Sequence, residues 1–221
     1  MKISILHSSK LSLQKLVVIA TLLILAFLSS SAWAETTDLG CEHPFIDVVD
    51  HWAEESICFL YNQGVVEGHS ERNFLPSEEI TRAEFLKISL LNLGYTVYAV
   101  QAASFPDVNP GDWYYQYVTF AKSKGFIQGY PDGSFHPNTP ITRAEAVVLI
   151  TQIAGIIAYD ISSTLTGFSD VNWDDWFAVA IAVATQYEIV EGYGDGSFRP
   201  HNELSRAEAT VIAQNVWNAL Y

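Results

Sequence analysis

Three copies of one pattern, with fixed spacings inside each copy, restrict what this 221-residue chain can fold into. In every copy a tryptophan precedes an arginine by 30 residues, and the pairs are Trp52 with Arg82, Trp113 with Arg143, and Trp176 with Arg206. A glycine follows each tryptophan after 16 residues, at Gly68, Gly129 and Gly192. Spacings that recur unchanged indicate an internal repeat, here with a period of about 50–55 residues.

Each copy has the pattern of a helix, a loop and a second helix. The first helix is expected to begin near the tryptophan, capped by an acidic residue at Asp50, Asp112 or Asp175. The loop reads GYPDGSFHP in the second copy and GYGDGSFRP in the third, whereas the first copy has GHSERNFLP without an Asp-Gly turn. The second helix is expected to begin at a capping box, in the sequences TRAE, TRAE and SRAE.

These elements predict an all-α fold made of three helix-loop-helix repeats. In the second copy, the apolar positions of the second helix cover much of its circumference, which is typical of a buried helix. One repeat alone cannot bury such a helix, so the three units are expected to share one core. We therefore predict a single domain with repeats over about 44–94, 105–155 and 168–220.

The first 34 residues have the pattern of a secretory signal peptide. Lys2, Lys10 and Lys15 precede an apolar run over residues 16–28, and a small-x-small cleavage site follows at 32–34. The run is shorter than the roughly 20 residues that a membrane-spanning helix needs, although an uncleaved membrane anchor is the alternative. We predict an exported product over residues 35–221, without a membrane span after cleavage.

The charge balance argues against two classes of partner. Without the three lysines of the leader, the chain holds 8 basic and 25 acidic residues, a formal charge of −17. Such a chain is a poor ligand for nucleic acids and for anionic membrane surfaces. It retains only five arginines, so the placement of three of them at one repeat position is informative.

The two cysteines, Cys41 and Cys58, lie near the start of the predicted mature chain. In an exported protein a disulfide is the favoured interpretation, and two free thiols are the alternative. Two cysteines are too few for a structural zinc site, and the Asp-Gly loops lack the spaced ligands of a calcium loop. No metal or cofactor is therefore predicted.

The arginines at the start of the second helices stand where a helix dipole disfavours a cation. One explanation is an ion pair between repeats, with Asp47, Asp107 and Asp170 as partners. The other is an anion site in which the arginine acts together with free N–H groups of the helix N-terminus. The residues alone leave both explanations open.

The sequence offers no support for catalysis. Its histidines outside the leader occupy positions that do not correspond between the copies. The chain also lacks the motifs Gly-x-Ser-x-Gly and HExxH and a phosphate-binding loop. We expect a protein that is not an enzyme.

The repeated landmarks resemble a known family. Units of this length with an Asp-aromatic start, a GYPDGSF loop and an ITRAE helix start are similar to S-layer homology (SLH) repeats, from about residue 44 to residue 220. The resemblance implies a pseudo-threefold arrangement around a central three-helix bundle, with binding grooves between neighbouring repeats. It also implies attachment to the cell envelope through a wall-linked polysaccharide, which often carries pyruvate ketals.

The resemblance further implies which residues contact the glycan. The motif arginine of the family corresponds to Arg82, Arg143 and Arg206, with the loop glycines Gly68, Gly129 and Gly192 beside the same grooves. The tryptophans Trp52, Trp113 and Trp176 are also candidates, although their alternative role is a buried wedge between helices. Tyr130 and Tyr193, directly after two of the glycines, complete the set of candidates.

The sequence thus predicts a secreted, non-catalytic module of the cell wall or S-layer. Its expected partner is a secondary cell-wall polysaccharide or another anionic glycan linked to peptidoglycan, together with a surface protein for which it could act as adaptor. The alternative is a structural envelope protein that acts through self-association or protein contacts without binding glycan.

Overall fold

The computed structural model describes residues 41–101, 103–156 and 167–221, and the predicted signal peptide lies outside these ranges. Residues 41–221 belong to one compact unit. Within the described ranges the regular structure is helical, as predicted, and none of these helices is long and apolar enough to cross a bilayer. The helices are α1 Glu54–Asn62, α2 Arg82–Asn92, α3 Tyr115–Ser123, α4 Arg143–Ala154, α5 Ala178–Gln186 and α6 Arg206–Leu220.

The second helix of each repeat begins at its capping box. In α4 the Thr142 hydroxyl accepts the N–H of Glu145 at 3.3 Å, and the Glu145 carboxylate accepts the N–H of Thr142 at 2.9 Å. The same reciprocal pair starts α2 and α6. Because each box satisfies backbone donors that the helix leaves unpaired, these helix starts were predictable from four residues.

The helices α2, α4 and α6 contact one another pairwise and form the centre of the domain. Each carries a buried alanine directly after its arginine, at Ala83, Ala144 and Ala207. A small side chain at this position lets neighbouring elements approach closely. The central bundle of three helices is therefore present, and it is built from one helix of each repeat.

A closed ring of backbone hydrogen bonds joins the starts of these three helices. Ile80 donates to the carbonyl of Leu204 at 2.9 Å, Leu204 donates to Ile141 at 2.9 Å, and Ile141 donates to Ile80 at 3.0 Å. All three side chains are fully buried. The contacts establish a cyclic order of the repeats, while the pseudo-threefold symmetry itself stays a prediction.

The predicted acidic caps of the first helices are wrong. The residues before α1, α3 and α5 are Ala53, Tyr114 and Phe177, and none of them makes a side-chain cap. Asp112 instead accepts the N–H of Asn109 at 2.7 Å, and Asp175 accepts that of Asn172 at 2.7 Å, while the backbone of Asp50 is left-handed with φ of 60°. Two of these acids thus close a turn that precedes the helix.

A disulfide pairs Cys41 with Cys58, across a Cα–Cα distance of 5.7 Å. Cys58 lies in α1 and is buried, whereas Cys41 belongs to the segment that precedes the first repeat. The bond therefore fastens that segment to the first helix.

Candidate functional site

Among the described residues, three grooves lie between the repeats, and each is lined by side chains from all three repeats. Groove 1 is defined by Arg82 of the first repeat, Tyr130 of the second and Trp176 of the third, and it encloses about 630 Å³. Groove 2 is defined by Arg143, Tyr193 and Trp52, with about 380 Å³. Groove 3 is defined by Arg206, His69 and Trp113, with about 310 Å³. The sequence candidates are thus brought together, but across repeats rather than within one.

The three tryptophans are exposed. Their exposed fractions are 65% for Trp52, 52% for Trp113 and 65% for Trp176, so the interpretation as buried wedges is wrong. Each indole lines the groove formed by the other two repeats. An exposed indole beside a polar groove offers a flat apolar face on which a sugar ring can stack.

The motif arginines reach across to the next repeat. The guanidinium of Arg82 lies 4.8 Å from the ring centre of Tyr130 and 5.0 Å from that of Phe135. Its Nη1 atom is 3.9 Å from a carboxylate oxygen of Glu145. The corresponding ion pairs are Arg143 with Glu208 at 3.7 Å and Arg206 with Glu84 at 3.8 Å. An ion pair between repeats therefore exists, and its acid is the glutamate of the next capping box.

The repeated aspartates have a different role from the predicted one. Asp107 accepts the backbone N–H groups of Phe135 at 3.0 Å and His136 at 2.7 Å, and Asp47 and Asp170 bind their own loops in the same way. His136 has a left-handed backbone with φ of 57°. The aspartate thus holds the loop in a conformation that most side chains avoid.

The N–H groups at the start of the central helices are occupied. Arg82 and Ala83 donate to the carbonyls of Thr139 at 2.9 Å and Pro137 at 3.0 Å, both in the loop of the next repeat. The first two N–H groups of α4 and of α6 are used in the same way. The expectation of free helix amides is therefore wrong, and the guanidinium itself is what remains for an anion.

The three arginines differ in how many donors the protein uses. Arg206 donates from Nε to the carbonyl of Phe74 at 2.9 Å and from Nη2 to that of Glu67 at 3.1 Å. Arg143 donates from Nη2 to Glu191 at 2.8 Å, but its buried Nε has no partner among the described residues. The Nε of Arg82 is likewise buried and without a partner in the described ranges. A buried Nε cannot reach a ligand, but among the described residues no Nη atom of Arg82 donates a hydrogen bond, and its ion pair is the longest of the three, so Arg82 keeps the most Nη donors for a ligand.

A tyrosine closes grooves 1 and 2 on the side of the glutamate. The Tyr130 hydroxyl donates to Glu145 at 2.5 Å, and that of Tyr193 donates to Glu208 at 3.1 Å. Burial, then the bond to Glu145, raises the pKa of Tyr130 to about 12. Burial alone would raise the pKa of Glu145, but the bonds from Tyr130 and Thr142 and the charge of Arg82 bring it below its usual value. Glu145 is therefore a charged side chain in the wall of the groove, and both of its carboxylate oxygens accept hydrogen bonds.

The loop glycines provide space for an aromatic ring. A Cβ atom on Gly68, Gly129 or Gly192 would collide with an edge of Phe45, Phe105 or Phe168, respectively. The glycines line the grooves, yet the reason for glycine at these positions is the lack of space between this phenylalanine and a carbonyl of the same loop, that of Ser70, Ser134 or Ser197. The sequence did not reveal this pairing, because the phenylalanine lies about two dozen residues earlier in the chain.

One groove residue was not predicted from the sequence. Lys87, five residues after Arg82, lines groove 3, where grooves 1 and 2 have Val148 and Val211. Alignment of the copies on the motif arginine would have revealed this difference. Across the described parts of the chain, no cluster of three metal-ligating side chains occurs.

Comparison with known proteins identifies the family. The sequence matches the S-layer homology domain at residues 44–86, 104–147 and 167–210, which together make up more than half of the chain. The chain therefore belongs to the S-layer homology domain family, and its three tandem repeats are confirmed. Membership of this family also supports the expected localisation at the cell envelope.

Three relatives illustrate the range of proteins that share this region. The chain is 33% identical over 174 residues to an amylopullulanase of Thermoanaerobacterium thermosulfurigenes, covering 76% of this chain and 9% of that protein. It is 31% identical to a cellulosome-anchoring protein of Acetivibrio thermocellus (65% of this chain, 32% of the relative) and 29% identical to an S-layer protein of Bacillus anthracis (75% and 20%). The chain thus spans less than a third of the length of each.

Proposed function

We propose that this domain is a non-catalytic module that holds its protein at the cell envelope by binding an anionic wall polysaccharide. The observation that carries the proposal is the Arg82 guanidinium in groove 1. It is held between aromatic rings and a glutamate of the next repeat, and Arg82 lines a groove of about 630 Å³.

The chemistry of groove 1 suits a carboxylate carried by a sugar, such as a pyruvate ketal. Arginine presents a planar fork of donors that matches a carboxylate and binds it more strongly than a neutral acceptor. Trp176 offers an apolar face at the same groove. A ligand that is both anionic and ring-shaped would use the two features at once, which a free anion or an apolar peptide would not.

Glu145 lies close to the proposed anion and still permits binding. One of its oxygens accepts the Tyr130 hydroxyl and the other accepts the Thr142 N–H and hydroxyl. These donors offset its charge and fix its position, so that Glu145 orients the Arg82 guanidinium. A carboxylate held in this way repels a ligand less than a free one does.

The names of the relatives favour anchoring over the structural alternative. One relative is described as cellulosome-anchoring and another as an S-layer protein, and both share the repeat region with this chain. We propose that the present domain likewise attaches a surface protein to the wall, as a covalent part of it or as an adaptor. In the alternative, the repeats assemble with themselves or with another protein without glycan.

Cosedimentation with purified bacterial wall sacculi tests the proposal. We expect the domain to sediment with sacculi that retain their polysaccharide, and a triple variant with Arg82, Arg143 and Arg206 changed to alanine to remain in solution. Arg72→Ala is the matched control, because Arg72 is an exposed arginine outside the three grooves. Circular dichroism must show that each variant is folded.

Three outcomes would contradict the proposal. Failure of the folded domain to sediment would exclude anchoring through the wall. Equal binding to sacculi from which the polysaccharide has been chemically stripped would exclude the glycan. Self-association of the free domain in sedimentation velocity, combined with absence of wall binding, would favour the structural alternative.

A further inference from the structure

Groove 3 differs from the other two grooves in the number of its cationic side chains, which line it together with two acids, Glu67 and Glu84. It contains Lys87 in addition to the motif arginine Arg206, whereas the equivalent of Lys87 is Val148 in groove 1 and Val211 in groove 2. Two cationic side chains from different repeats therefore line one cavity of about 310 Å³. A groove with two cations suits a ligand with more negative charge than a single carboxylate carries.

The two cations flank the same residue, Glu67. The Nη2 atom of Arg206 donates to the Glu67 carbonyl at 3.1 Å, and Nζ of Lys87 lies 3.6 Å from its carboxylate. The Glu67 side chain is 79% exposed, whereas the exposed fractions are 24% for Lys87 and 15% for Arg206. Ion pairs with so exposed an acid contribute little, so an incoming anion can displace the Glu67 carboxylate.

The wall of groove 3 also lacks the tyrosine of the other two grooves. His69 occupies the position of Tyr130 and Tyr193, so Glu84 has no phenol to bind and remains more exposed than its counterparts. Burial lowers the pKa of Arg206, which means that its charge is incompletely compensated by nearby acids. An additional anion beside Arg206 would offset this loss of solvation.

We propose that groove 3 binds a phosphate monoester on a sugar, with Arg206 and Lys87 each donating to the phosphate and the Glu67 carboxylate displaced. Grooves 1 and 2, with one cation each, bind single carboxylates. The inference rests on the proposed function, because it divides one glycan-binding surface into two kinds of site. The shared chemistry is a dianionic phosphate, whether it is attached to the glycan or free.

The tryptophans make the three grooves separately observable. Trp176, Trp52 and Trp113 line grooves 1, 2 and 3, so their indole N–H signals in a nitrogen-proton NMR spectrum report which groove is occupied. The signals are assigned by changing each tryptophan to phenylalanine. The probes are mannose 6-phosphate, a methyl glycoside with a 4,6-pyruvate ketal, and inorganic phosphate, titrated at constant pH and ionic strength.

Mannose 6-phosphate is expected to shift the Trp113 signal, and Lys87→Val is expected to weaken that response by about tenfold or more. Valine occurs at this position in the other two repeats, so the variant should fold. The reciprocal variant Val148→Lys is expected to create a response to mannose 6-phosphate at Trp176. Inorganic phosphate is expected to bind groove 3 more weakly than the sugar phosphate, because it cannot use the indole.

The outcomes separate this inference from the proposed function. An unchanged Trp113 response in Lys87→Val, or equal shifts of all three indoles by mannose 6-phosphate, would overturn the assignment of groove 3. If inorganic phosphate bound groove 3 as tightly as mannose 6-phosphate does, the proposal that the ligand is a phosphate on a sugar would be overturned. The pyruvylated glycoside tests the proposed function independently, because its response at Trp176 depends on Arg82 and not on Lys87.

Discussion

The guanidinium of Arg82 lies 4.8 Å from the ring centre of Tyr130, a residue of the following repeat. The hydroxyl of the same tyrosine donates to Glu145, which also forms an ion pair with Arg82 at 3.9 Å. One side chain from the first repeat and two from the second thus hold one another in place. The site is therefore a product of repeat assembly, and an isolated repeat would not contain it.

The number of unused donors predicts an order of importance among the arginines. We expect Arg82→Ala to weaken binding of a pyruvylated glycoside most, Arg143→Ala less and Arg206→Ala least, because the protein uses progressively more donors from Arg82 to Arg206. Loss of a charge-assisted hydrogen bond of about 1.5–3 kcal/mol corresponds to roughly a tenfold to hundredfold loss of affinity at the groove concerned. Isothermal titration calorimetry measures the affinity of each variant for the pyruvylated glycoside.

The variant Arg82→Lys tests whether the planar pair of arginine donors contributes to the affinity for the glycoside in addition to the positive charge. Lysine keeps the cation but lacks the planar pair of donors, so it is expected to recover only part of the affinity. Full recovery by lysine would contradict a role for the fork. A larger effect of Arg206→Ala than of Arg82→Ala would contradict the ranking of the three arginines.

The loop glycine of groove 1 predicts a measurable loss of stability. In Gly129→Ala the new methyl group would collide with Phe105 and with the carbonyl of Ser134, and the backbone φ of 80° is unfavourable for alanine. We expect the free energy of unfolding to fall by about 2–4 kcal/mol, from overpacking and backbone strain together. Gly125→Ala is the matched control, since φ is 74° there and no atom lies within 4 Å of the added Cβ.

Urea unfolding of the two variants separates the collision from the strain. Gly125→Ala should show only the strain, about 1 kcal/mol. If the two variants lost equal stability, crowding by Phe105 and the Ser134 carbonyl would not be the reason for glycine at this position.

The capping boxes made the starts of α2, α4 and α6 predictable, because their hydrogen bonds are local. The partner of each arginine was not predictable, since it depends on which repeat follows in space. Glu145 has the sequence signature of a cap and also faces Arg82, and only the first role can be inferred from neighbouring residues. Hydrogen bonds between residues up to four positions apart could be predicted from the sequence, whereas contacts between repeats could not.

The exposure of the tryptophans illustrates the same limit. Large aromatic residues are usually buried, which made a wedge a reasonable alternative for Trp176. The indole instead lines a groove whose other walls belong to the first two repeats. The family resemblance had implied a position beside a groove, because it carries information about assembly that a single repeat lacks.

Tyr130 predicts a distinctive alkaline titration. Its pKa is raised to about 12, chiefly by burial, so the folded state holds this proton more tightly than the unfolded state does. Its contribution to stability is therefore complete below about pH 10 and is lost as the pH rises from there towards 12. The difference in phenolate absorbance between the wild type and Tyr130→Phe should show a late-titrating group. A midpoint near the ordinary value of tyrosine would contradict the burial of this hydroxyl together with its bond to Glu145.

Asp107 predicts a loop whose shape depends on one carboxylate. It accepts the N–H groups of Phe135 and His136, and the second of these residues has a left-handed backbone. In Asp107→Ala two partly buried donors lose their charged acceptor, so the free energy of unfolding should fall by about 2–4 kcal/mol. Asp174→Ala, at an exposed aspartate, should leave it nearly unchanged. Because the same loop carries Tyr130, Asp107→Ala should also weaken the response of Trp176 to the pyruvylated glycoside in NMR titrations of folded protein. An unaltered response would show that groove 1 does not depend on the shape of this loop.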